Sequence, residues 1–161
     1  MNEIIPGLWL GNLGDAYNVT NLRAHGIHSI VSALPGKVHI NEVRIPLFAR
    51  TSDTENFLVQ VQTFTHLHIE VTDTDDTDIL THFIPVITFI QKELDKRRGV
   101  LVHCFAGISR SATLVAAYLM YTRGLDPADA LKHIRQYRSN VNPNEGFLIQ
   151  LDIFHKSAFL L

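Results

Sequence analysis

A cysteine, a glycine and an arginine are spaced so that one short loop could hold and attack a phosphate group. Cys104 is the only cysteine in the 161-residue chain, and Gly107 and Arg110 follow it in the same short segment. An apolar run at residues 100–102 precedes this segment, and a helix-like run at residues 112–120 follows it. A loop that leads from a strand into a helix directs backbone N–H groups and the partial positive charge of the helix N-terminus toward an anion. The segment therefore predicts an anion site with a thiol at one end and a guanidinium at the other.

These residue types suit attack of sulfur on phosphorus. The thiolate is the nucleophilic form of cysteine, and a helix N-terminus and a nearby cation both stabilise it in Cys104. Gly107 lets the loop curl, because glycine adopts positive φ at little cost. Arg110 can present its planar fork to two phosphate oxygens. Ser111 can donate a hydrogen bond to the sulfur when the sulfur becomes a leaving group. We expect His103 to support the loop backbone, since an ionised thiol needs no general base.

The backbone amides of the loop are predicted to hold the phosphate oxygens. The residues expected to line the substrate are Phe105, Ala106, Gly107, Ile108, Ser109 and Arg110. The variable positions of this segment carry no charge, which favours a phosphoprotein over a phosphoinositide as substrate. The alternative is a buried structural cysteine, since free cysteine is commonly buried and inert. That alternative leaves the surrounding His, Gly, Arg and Ser unexplained.

A second catalytic group is expected in an acidic loop upstream. A positioned general acid accelerates departure of a poor leaving group by about 10²–10⁴-fold. Residues 72–78 contain four aspartates. We predict that Asp73 is the acid, because it follows the predicted strand 66–71 directly, and loops at the carboxyl ends of strands gather beside such a site. Asp78 is expected to cap the next helix, and Asp75 and Asp76 are expected to be solvated.

The segment 103–111 resembles the signature His-Cys-x-x-Gly-x-x-Arg-Ser/Thr of cysteine-dependent protein phosphatases, and its Ala-Gly-Ile-Ser-Arg-Ser ending is similar to the dual-specificity branch. Residues 5–11 resemble the opening strand of that family, and residues 142–151 resemble its closing helix motif. The resemblance implies hydrolysis of phosphotyrosine and phosphoserine/phosphothreonine through a cysteinyl-phosphate, with no cofactor and no metal. It also implies that the amide of Asn144 steadies the phosphate loop; as an alternative or additional role, Asn144 could cap the last helix.

The Asn-Glu-Gly-Phe sequence at residues 144–147 and the insert before the central strands resemble an atypical subgroup of this family. Longer relatives of that subgroup carry a C-terminal zinc-binding domain and act in maturation of the large ribosomal subunit. The resemblance implies pre-ribosomal proteins as partners, in addition to a phosphoprotein substrate. With one cysteine, the sequence contains no zinc domain of that kind. The alternative function is a phospho-binding or scaffold module that acts in ribosome maturation independently of catalysis.

The elements that must position these residues alternate between strand and helix patterns. Strands are predicted at residues 4–10, 27–34, 43–48, 66–71 and 100–102, and the first of them contains a Pro-Gly turn. Helices are predicted at residues 15–25, 79–95, 111–123, 126–137 and 144–158. Residues 50–64 are expected to form an excursion loop, Pro85 to kink its helix or delay the start, and Gly99 to stop that helix. The order predicts an α/β fold with a central, mostly parallel twisted sheet of about five strands flanked by helices.

Composition places limits on partners and location. A chain of 161 residues with 46% hydrophobic and 19% charged residues predicts one globular domain over residues 1–161. A net charge of −2 predicts neither nucleic-acid nor anionic-membrane binding. The start lacks the pattern of a signal peptide, and a single cysteine is typical of the reducing cytoplasm or nucleus. We expect a monomer. The nine histidines show no metal-ligand spacing, and the Lys96-Arg97-Arg98 run is expected to complement a helix C-terminus.

Overall fold

The computed structural model of the protein describes residues 1–36, 38, 40, 43–47, 58–62 and 64–157. The strands within these residues are β1 (Asn2–Ile5), β2 (Leu8–Gly11), β3 (Ile27–Ala33), β4 (Val43–Leu47), β5 (Leu58–Gln62), β6 (Thr65–Ile69) and β7 (Gly99–His103). The helices are α1 (Leu13–Tyr17), α2 (Val19–Ala24), α3 (Phe83–Asp95), α4 (Arg110–Arg123), α5 (Pro127–Tyr137) and α6 (Glu145–Lys156). A 3₁₀ helix at Leu80–His82 leads into α3. The predicted ends at Phe48 and Ala158 lie outside the described residues.

Five strands form one sheet in the order β1-β2-β7-β3-β6, and each neighbouring pair is parallel except β1 with β2. This arrangement confirms the predicted mostly parallel sheet of about five strands. β7 lies between β2 and β3, and both Gly11 and Ser32 pair with His103 at its carboxyl end. The loop that carries Cys104 therefore starts from the centre of the sheet edge where parallel strands end, which is where open α/β sheets bind ligands.

Helices cover both faces of the sheet, as predicted. Side chains along a strand point alternately to opposite faces. In β7, Val100 and Val102 pack into the larger apolar cluster, to which α3, α4, α5 and α6 contribute. Leu101 lies between them in sequence and packs with Leu22 of α2 and Ala16 of α1 in a second cluster. α4 is buried over residues 110–120, which makes it the central helix of the larger layer.

The N-terminal region confirms one prediction and corrects another. The predicted turn at Pro6-Gly7 is present, with Gly7 at φ +83°, and it divides this segment into a two-stranded hairpin, β1 and β2. The predicted helix at 15–25 is two short helices. The side chain of Asn12 caps α1, and the side chain of Asn18, where α1 ends, accepts from the N–H of Asn21 to cap α2. Asparagine competes for backbone partners in this way and so interrupts a helix.

The expected excursion loop at residues 50–64 is wrong over its second half. β5 occupies Leu58–Gln62 and pairs antiparallel with β4 as a separate two-stranded sheet. Sequence periodicity alone does not reveal this pairing. Residues 48–57 and 63 lie outside the described part of the chain.

The start of α3 confirms the delayed start predicted from Pro85, whereas its end corrects the prediction. The helix begins at Phe83, so Pro85 lies in its first turn, where the missing N–H has no intrahelical partner to lose. Gly99 does not stop the helix: the residue with left-handed backbone is Arg97, at φ +56°, and Gly99 opens β7. A Cβ on Gly99 would lie 2.7 Å from the carbonyl oxygen of Gly26, so close strand packing explains the glycine.

The cations after α3 bind a specific partner rather than only the helix terminus. Lys96 Nζ lies 2.7 Å from Glu93 Oε1, and Arg98 Nη1 lies 3.5 Å from Glu93 Oε2. Glu93 is buried and also accepts a 2.7 Å hydrogen bond from Ser29 Oγ of β3. Hydrogen bonding from Lys96 is the main cause that lowers the pKa of Glu93. This carboxylate ties α3 to the sheet below it.

Candidate active site

The loop between β7 and α4 curls because Gly107 adopts a left-handed backbone. Its φ is +69°, and a Cβ there would lie 2.5 Å from the carbonyl oxygen of Gly11 at the end of β2. Any side chain at this position would therefore collide with the neighbouring strand. The turn places Cys104 at the base of the loop and Arg110 at the first position of α4.

Every carbonyl from residue 105 to residue 109 is occupied by a donor outside the loop. The five pairs are Phe105 with the N–H of Leu13, Ala106 with Arg138 Nη2, Gly107 with Arg138 Nε, Ile108 with the N–H of Asn142, and Ser109 with the N–H of Thr113. A planar trans peptide points its N–H opposite to its C=O, and no peptide bond is cis among the residues described. The amides of residues 106–110 therefore face the inside of the loop, where they can hold an anion.

The Cys104 sulfur receives two hydrogen bonds. The N–H of Gly107 lies 3.2 Å from Sγ, and Ser111 Oγ lies 3.1 Å from it, which is the contact predicted for Ser111. Cys104 is 1% exposed and forms no disulfide. Two donors and the N-terminus of α4 stabilise negative charge on this sulfur.

Arg110 lies between the loop and the chain that leads to Asp73. Its side chain is buried, and Nη1 donates to the carbonyl of Val71 at 3.3 Å. Its Nε lies 3.5 Å from Asp73 Oδ2, which is ion-pair distance, yet the Nε–H makes no hydrogen bond in the described structure. The guanidinium is thus fixed at the loop with donor capacity that a phosphate oxygen could use.

Asp73 is brought to the same place by two further residues. Its Oδ1 accepts from Ser109 Oγ at 2.6 Å and from Asn144 Nδ2 at 2.9 Å. Oδ2 is the oxygen that faces Arg110. The structure therefore brings together the candidate nucleophile, cation and acid, which lie directly after β7, at the start of α4 and in the loop after β6.

Asn144 has the expected capping role, but its side-chain amide contacts the acidic loop and not the phosphate loop. Its Oδ1 caps α6 by accepting from the N–H of Phe147 at 2.9 Å. Its side-chain amide contacts Asp73, and it is its backbone N–H that contacts the phosphate loop, at Ser109 Oγ, 3.3 Å away. Asn144 thus connects the acidic loop to the phosphate loop.

The other aspartates of the acidic loop have their own partners. Asp78 accepts from the N–H of Thr81 at 3.2 Å, in agreement with the predicted capping role. Asp75 and Asp76 are exposed but not merely solvated. Asp76 Oδ1 accepts from Thr74 Oγ1 at 2.6 Å, and Asp75 lies against Gly146 of α6, where a Cβ would lie 1.9 Å from the Asp75 carbonyl oxygen. Neither carboxylate contacts Cys104 or Arg110 in any recorded hydrogen bond or ion pair.

His103 supports the loop from below through a chain of hydrogen bonds. Its Nδ1 lies 3.3 Å from the carbonyl of Cys104, and its Nε2 lies 2.6 Å from Ser32 Oγ. Ser32 Oγ also lies 2.8 Å from His66 Nε2. A carbonyl can only accept, so Nδ1 carries the proton, Ser32 donates to Nε2, and His66 donates to Ser32. Burial lowers the pKa of His103 to about 4, so the ring is neutral in this role.

Two residues of the site escaped prediction from the sequence. Arg138 occupies two loop carbonyls and also donates to Asn2 Oδ1 at 2.9 Å, which joins the loop to β1. Ser32 connects His103 to His66. Ser32 lies in an apolar strand and Arg138 directly after a helix. Only their three-dimensional neighbours distinguish them from other polar residues.

No group of three or more His, Cys, Asp or Glu side chains among the described residues is placed to hold a metal ion. No helix in the same part of the chain is long and apolar enough to cross a membrane.

The chain is similar to known proteins over nearly its whole length. Residues 9–157 match the family described as dual specificity phosphatase, catalytic domain. Dual specificity protein phosphatase 1B of Arabidopsis thaliana is 34% identical over 98% of this chain and 83% of its own length. Dual specificity protein phosphatase 15 of Mus musculus is 38% identical over 96% of this chain and 57% of its own length. The chain thus spans little more than half of the mouse relative.

Two other matches cover different extents. A crystal structure of DUSP15 is 36% identical, with a TM-score of 0.79, over 98% of this chain and 88% of that chain. Tyrosine-protein phosphatase yvh1 of Schizosaccharomyces pombe is 45% identical, over 60% of this chain and 29% of that protein. The first match extends the similarity to the three-dimensional fold, and the second is confined to part of the chain.

Proposed function

Since this chain belongs to the dual specificity phosphatases, we propose that the loop at residues 104–110 is its phosphate site and that Cys104 is its nucleophile. The observation that carries the proposal is the position of the Cys104 sulfur, at the base of a loop whose amides face inward and whose last residue, Arg110, faces Asp73. A phosphate in the loop would meet donors on its oxygens and sulfur on the side opposite its leaving group. Alignment and charge stabilisation supply most of phosphoryl-transfer catalysis.

In the first step, the thiolate of Cys104 forms a bond to phosphorus while the bond from phosphorus to the substrate oxygen breaks. Asp73 donates a proton to that departing oxygen. Ser109 and Asn144 occupy Oδ1 of Asp73, so Oδ2 is the oxygen that carries the proton toward the phosphate site. The inward amides and Arg110 hold the charge that gathers on the non-bridging oxygens.

In the second step, the carboxylate of Asp73 removes a proton from a water molecule, and the water oxygen bonds to phosphorus. The sulfur–phosphorus bond then breaks, which returns the thiolate and releases inorganic phosphate. Ser111 donates to the departing sulfur from 3.1 Å. The two steps together need no metal and no redox cofactor.

Turnover of an aryl phosphate by the wild type and by Cys104→Ser tests the assignment. We expect steady turnover by the wild type and none above background by Cys104→Ser, because an alcohol at this position is not ionised. Arg135→Lys is a matched control, since Arg135 donates to Val141 and does not contact the loop. Turnover by Cys104→Ser at the wild-type rate would remove Cys104 from the mechanism.

Phosphoproteins are the substrates implied by the family, and we propose phosphotyrosine and phosphoserine/phosphothreonine side chains within them. The uncharged side chains of the phosphate loop and the carboxylates of the acidic loop support this choice over phosphoinositides, since acidic groups repel polyanionic substrates. We further propose that residues 1–161 act as one monomeric catalytic domain in the cytoplasm or nucleus. Its single cysteine is consistent with a reducing compartment.

We also propose a more specific role for the protein, in maturation of the large ribosomal subunit. It rests on the resemblance at residues 144–147 and on the partial similarity to yvh1. A scaffold that binds pre-ribosomal proteins without catalysis remains the alternative. Cys104, Arg110 and Asp73 lie together with their supporting contacts, which favours an active enzyme. Binding of a phosphopeptide without any turnover by the wild type would instead support the scaffold.

A further inference from the structure

We propose that Gln150 is a positioning residue that fixes the loop carrying Asp73, and that proton transfer to the leaving group depends on it. Gln150 lies on α6 and does not contact Cys104, Arg110 or Asp73 in any recorded hydrogen bond. The inference rests on the proposed role of Asp73 as the acid.

Gln150 makes three hydrogen bonds to the backbone at the end of the acidic loop. Its Oε1 accepts from the N–H groups of Ile79 and Leu80, each at 2.8 Å, and its Nε2 donates to the carbonyl of Thr77 at 2.8 Å. Two backbone donors and one backbone acceptor define which end of the amide is oxygen and which is nitrogen. Glutamine supplies both an acceptor and a donor at the end of a side chain of this length.

Thr77 transmits this attachment to Asp73. The hydroxyl of Thr77 is hydrogen-bonded to the hydroxyls of Thr72 and Thr74, which flank Asp73 in sequence. The N–H of Thr77 also donates to the carbonyl of Thr74 at 3.1 Å. A shift of Thr77 therefore moves both neighbours of the candidate acid.

Burial does little to hold the loop itself. The side chains at residues 72–76 are exposed, and the buried apolar residues nearest to them, Val71 and Ile79, lie at the two ends of the loop. On the α6 side, the loop is held by Asn144, by close backbone packing of Asp75 on Gly146, and by Gln150. Gln150 is the one of these three that fixes the half of the loop beyond Asp75.

Loss of Gln150 is expected to act on proton transfer by Asp73 and not on attack by Cys104. A general acid must lie within hydrogen-bond reach of the oxygen it protonates, and a misplacement of about 1 Å can cost roughly 10²-fold. Attack by Cys104 relies on contacts that do not involve Gln150. The defect should therefore grow as the leaving group becomes more basic, whereas a general loss of structure would lower the rate for all substrates alike.

The experiment measures kcat/KM for a series of aryl and alkyl phosphates with Gln150→Leu, Thr77→Val, their double variant and Asp73→Asn. Ile149→Ala is the matched control, because Ile149 is the adjacent residue on α6 and is 55% exposed. For Gln150→Leu we expect a loss of roughly tenfold or more with alkyl phosphates and less than about threefold with a nitrophenyl phosphate. Thr77→Val should show the same trend, and the double variant should lose less than the two single losses combined, because both act through one loop.

The outcomes separate this inference from the proposed function. If the loss of kcat/KM depends on the leaving group in Asp73→Asn but not in a folded Gln150→Leu, the role of Gln150 is overturned and the role of Asp73 stands. An equal loss for every substrate in Gln150→Leu would also overturn the role of Gln150. No leaving-group dependence in Asp73→Asn would instead remove Asp73 as the acid. Thermal melting checks that each variant is folded, and Thr77→Val carries the test if Gln150→Leu does not fold.

Discussion

Arg110 Nε lies 3.5 Å from Asp73 Oδ2, so the cation proposed to hold phosphate faces the carboxyl group proposed to protonate its leaving oxygen. Arg110 begins α4, and Asp73 lies in the loop after β6. Ser109 and Asn144 fix the other carboxylate oxygen. A phosphate bound to Arg110 would therefore have the acid beside it without movement of the chain.

Asp73→Asn should slow the hydrolysis of alkyl phosphates far more than that of aryl phosphates with good leaving groups. Only the alkoxide needs a proton as it departs, and a positioned acid is worth about 10²–10⁴-fold. Values of kcat/KM for both substrate classes test this, because they report the first step and not the second, with Asp75→Asn and Asp76→Asn as comparison variants. An equal loss on both classes, or the selective loss in a comparison variant, would reassign the acid.

Cys104→Ser should keep its affinity for an oxyanion although its turnover is lost. The inward amides and Arg110 do not depend on the sulfur, because donors outside the loop hold its carbonyls. Calorimetric titration with inorganic phosphate or tungstate measures this binding. A variant that binds neither anion would show that the sulfur itself organises the loop.

Wild-type turnover should persist in excess chelator. Cys104, Arg110 and Asp73 supply the nucleophile, the charge stabilisation and the proton of the proposed reaction, so no step calls for a metal ion. The measurement compares initial rates before and after exhaustive treatment with a chelator. Loss of turnover that added metal restores would contradict the metal-free mechanism.

The free energy of unfolding should rise with pH between about 4 and 6.5 because of His103. Burial lowers the pKa of His103 from its ordinary 6.5 to about 4. Within that window the unfolded state binds the proton and the folded state does not, so stability increases with pH by roughly 3 kcal/mol in total. Below pH 4 His103 is protonated in both the folded and the unfolded state, so it no longer makes the free energy of unfolding depend on pH.

Chemical denaturation of the wild type and of His103→Asn at several pH values checks that His103 causes this pH dependence of the free energy of unfolding. The variant should lose most of the pH dependence in this window. His28→Asn serves as the control, since His28 is exposed and contacts only the carbonyl of Gly26 among the recorded hydrogen bonds. An unchanged slope in His103→Asn would mean that another group is responsible.

Peroxide should inactivate the enzyme through Cys104. A stabilised thiolate oxidises to a sulfenic acid, and the chain has no second cysteine to form an internal disulfide. Condensation with a backbone nitrogen or a mixed disulfide with an added thiol are its reversible routes. Early addition of thiol should restore activity, and late addition should not, because the sulfinic state is irreversible. Mass spectrometry after brief exposure should locate the oxygen on Cys104; unmodified Cys104 in fully active enzyme would contradict the thiolate assignment.

Local patterns in the sequence are sufficient for most of the fold, including the strand and helix on either side of the Cys104 loop. The strand-loop-helix pattern around Cys104 and the Asp-Pro start of α5 depend on near neighbours, and both were predicted correctly. Roles that depend on distant contacts were not visible. Arg138 reaches the phosphate loop from the end of α5, and Gln150 reaches the acidic loop from α6.

Two of the errors have the same origin. Gly99 follows a run of cations and so resembles a helix stop, but the reason for glycine there is the carbonyl of Gly26, directly before the neighbouring strand β3. The polar segment around β5 has weak periodicity and so predicts a loop, but β5 pairs with β4. Packing between segments decided each case, and propensity could not anticipate it.

Trapping the covalent intermediate tests most directly whether Cys104 is the nucleophile. The enzyme is mixed with an aryl phosphate, quenched in acid during turnover, digested and analysed by mass spectrometry. We predict one phosphoryl group, attached to sulfur, on the peptide that contains Cys104, and none on that peptide in Cys104→Ser. Asp73→Asn should accumulate more of it when an aryl substrate is used, because the second step also needs Asp73. Turnover without any phosphorylated Cys104 peptide, or with the phosphoryl group on another residue, would contradict the assignment of Cys104 as the nucleophile.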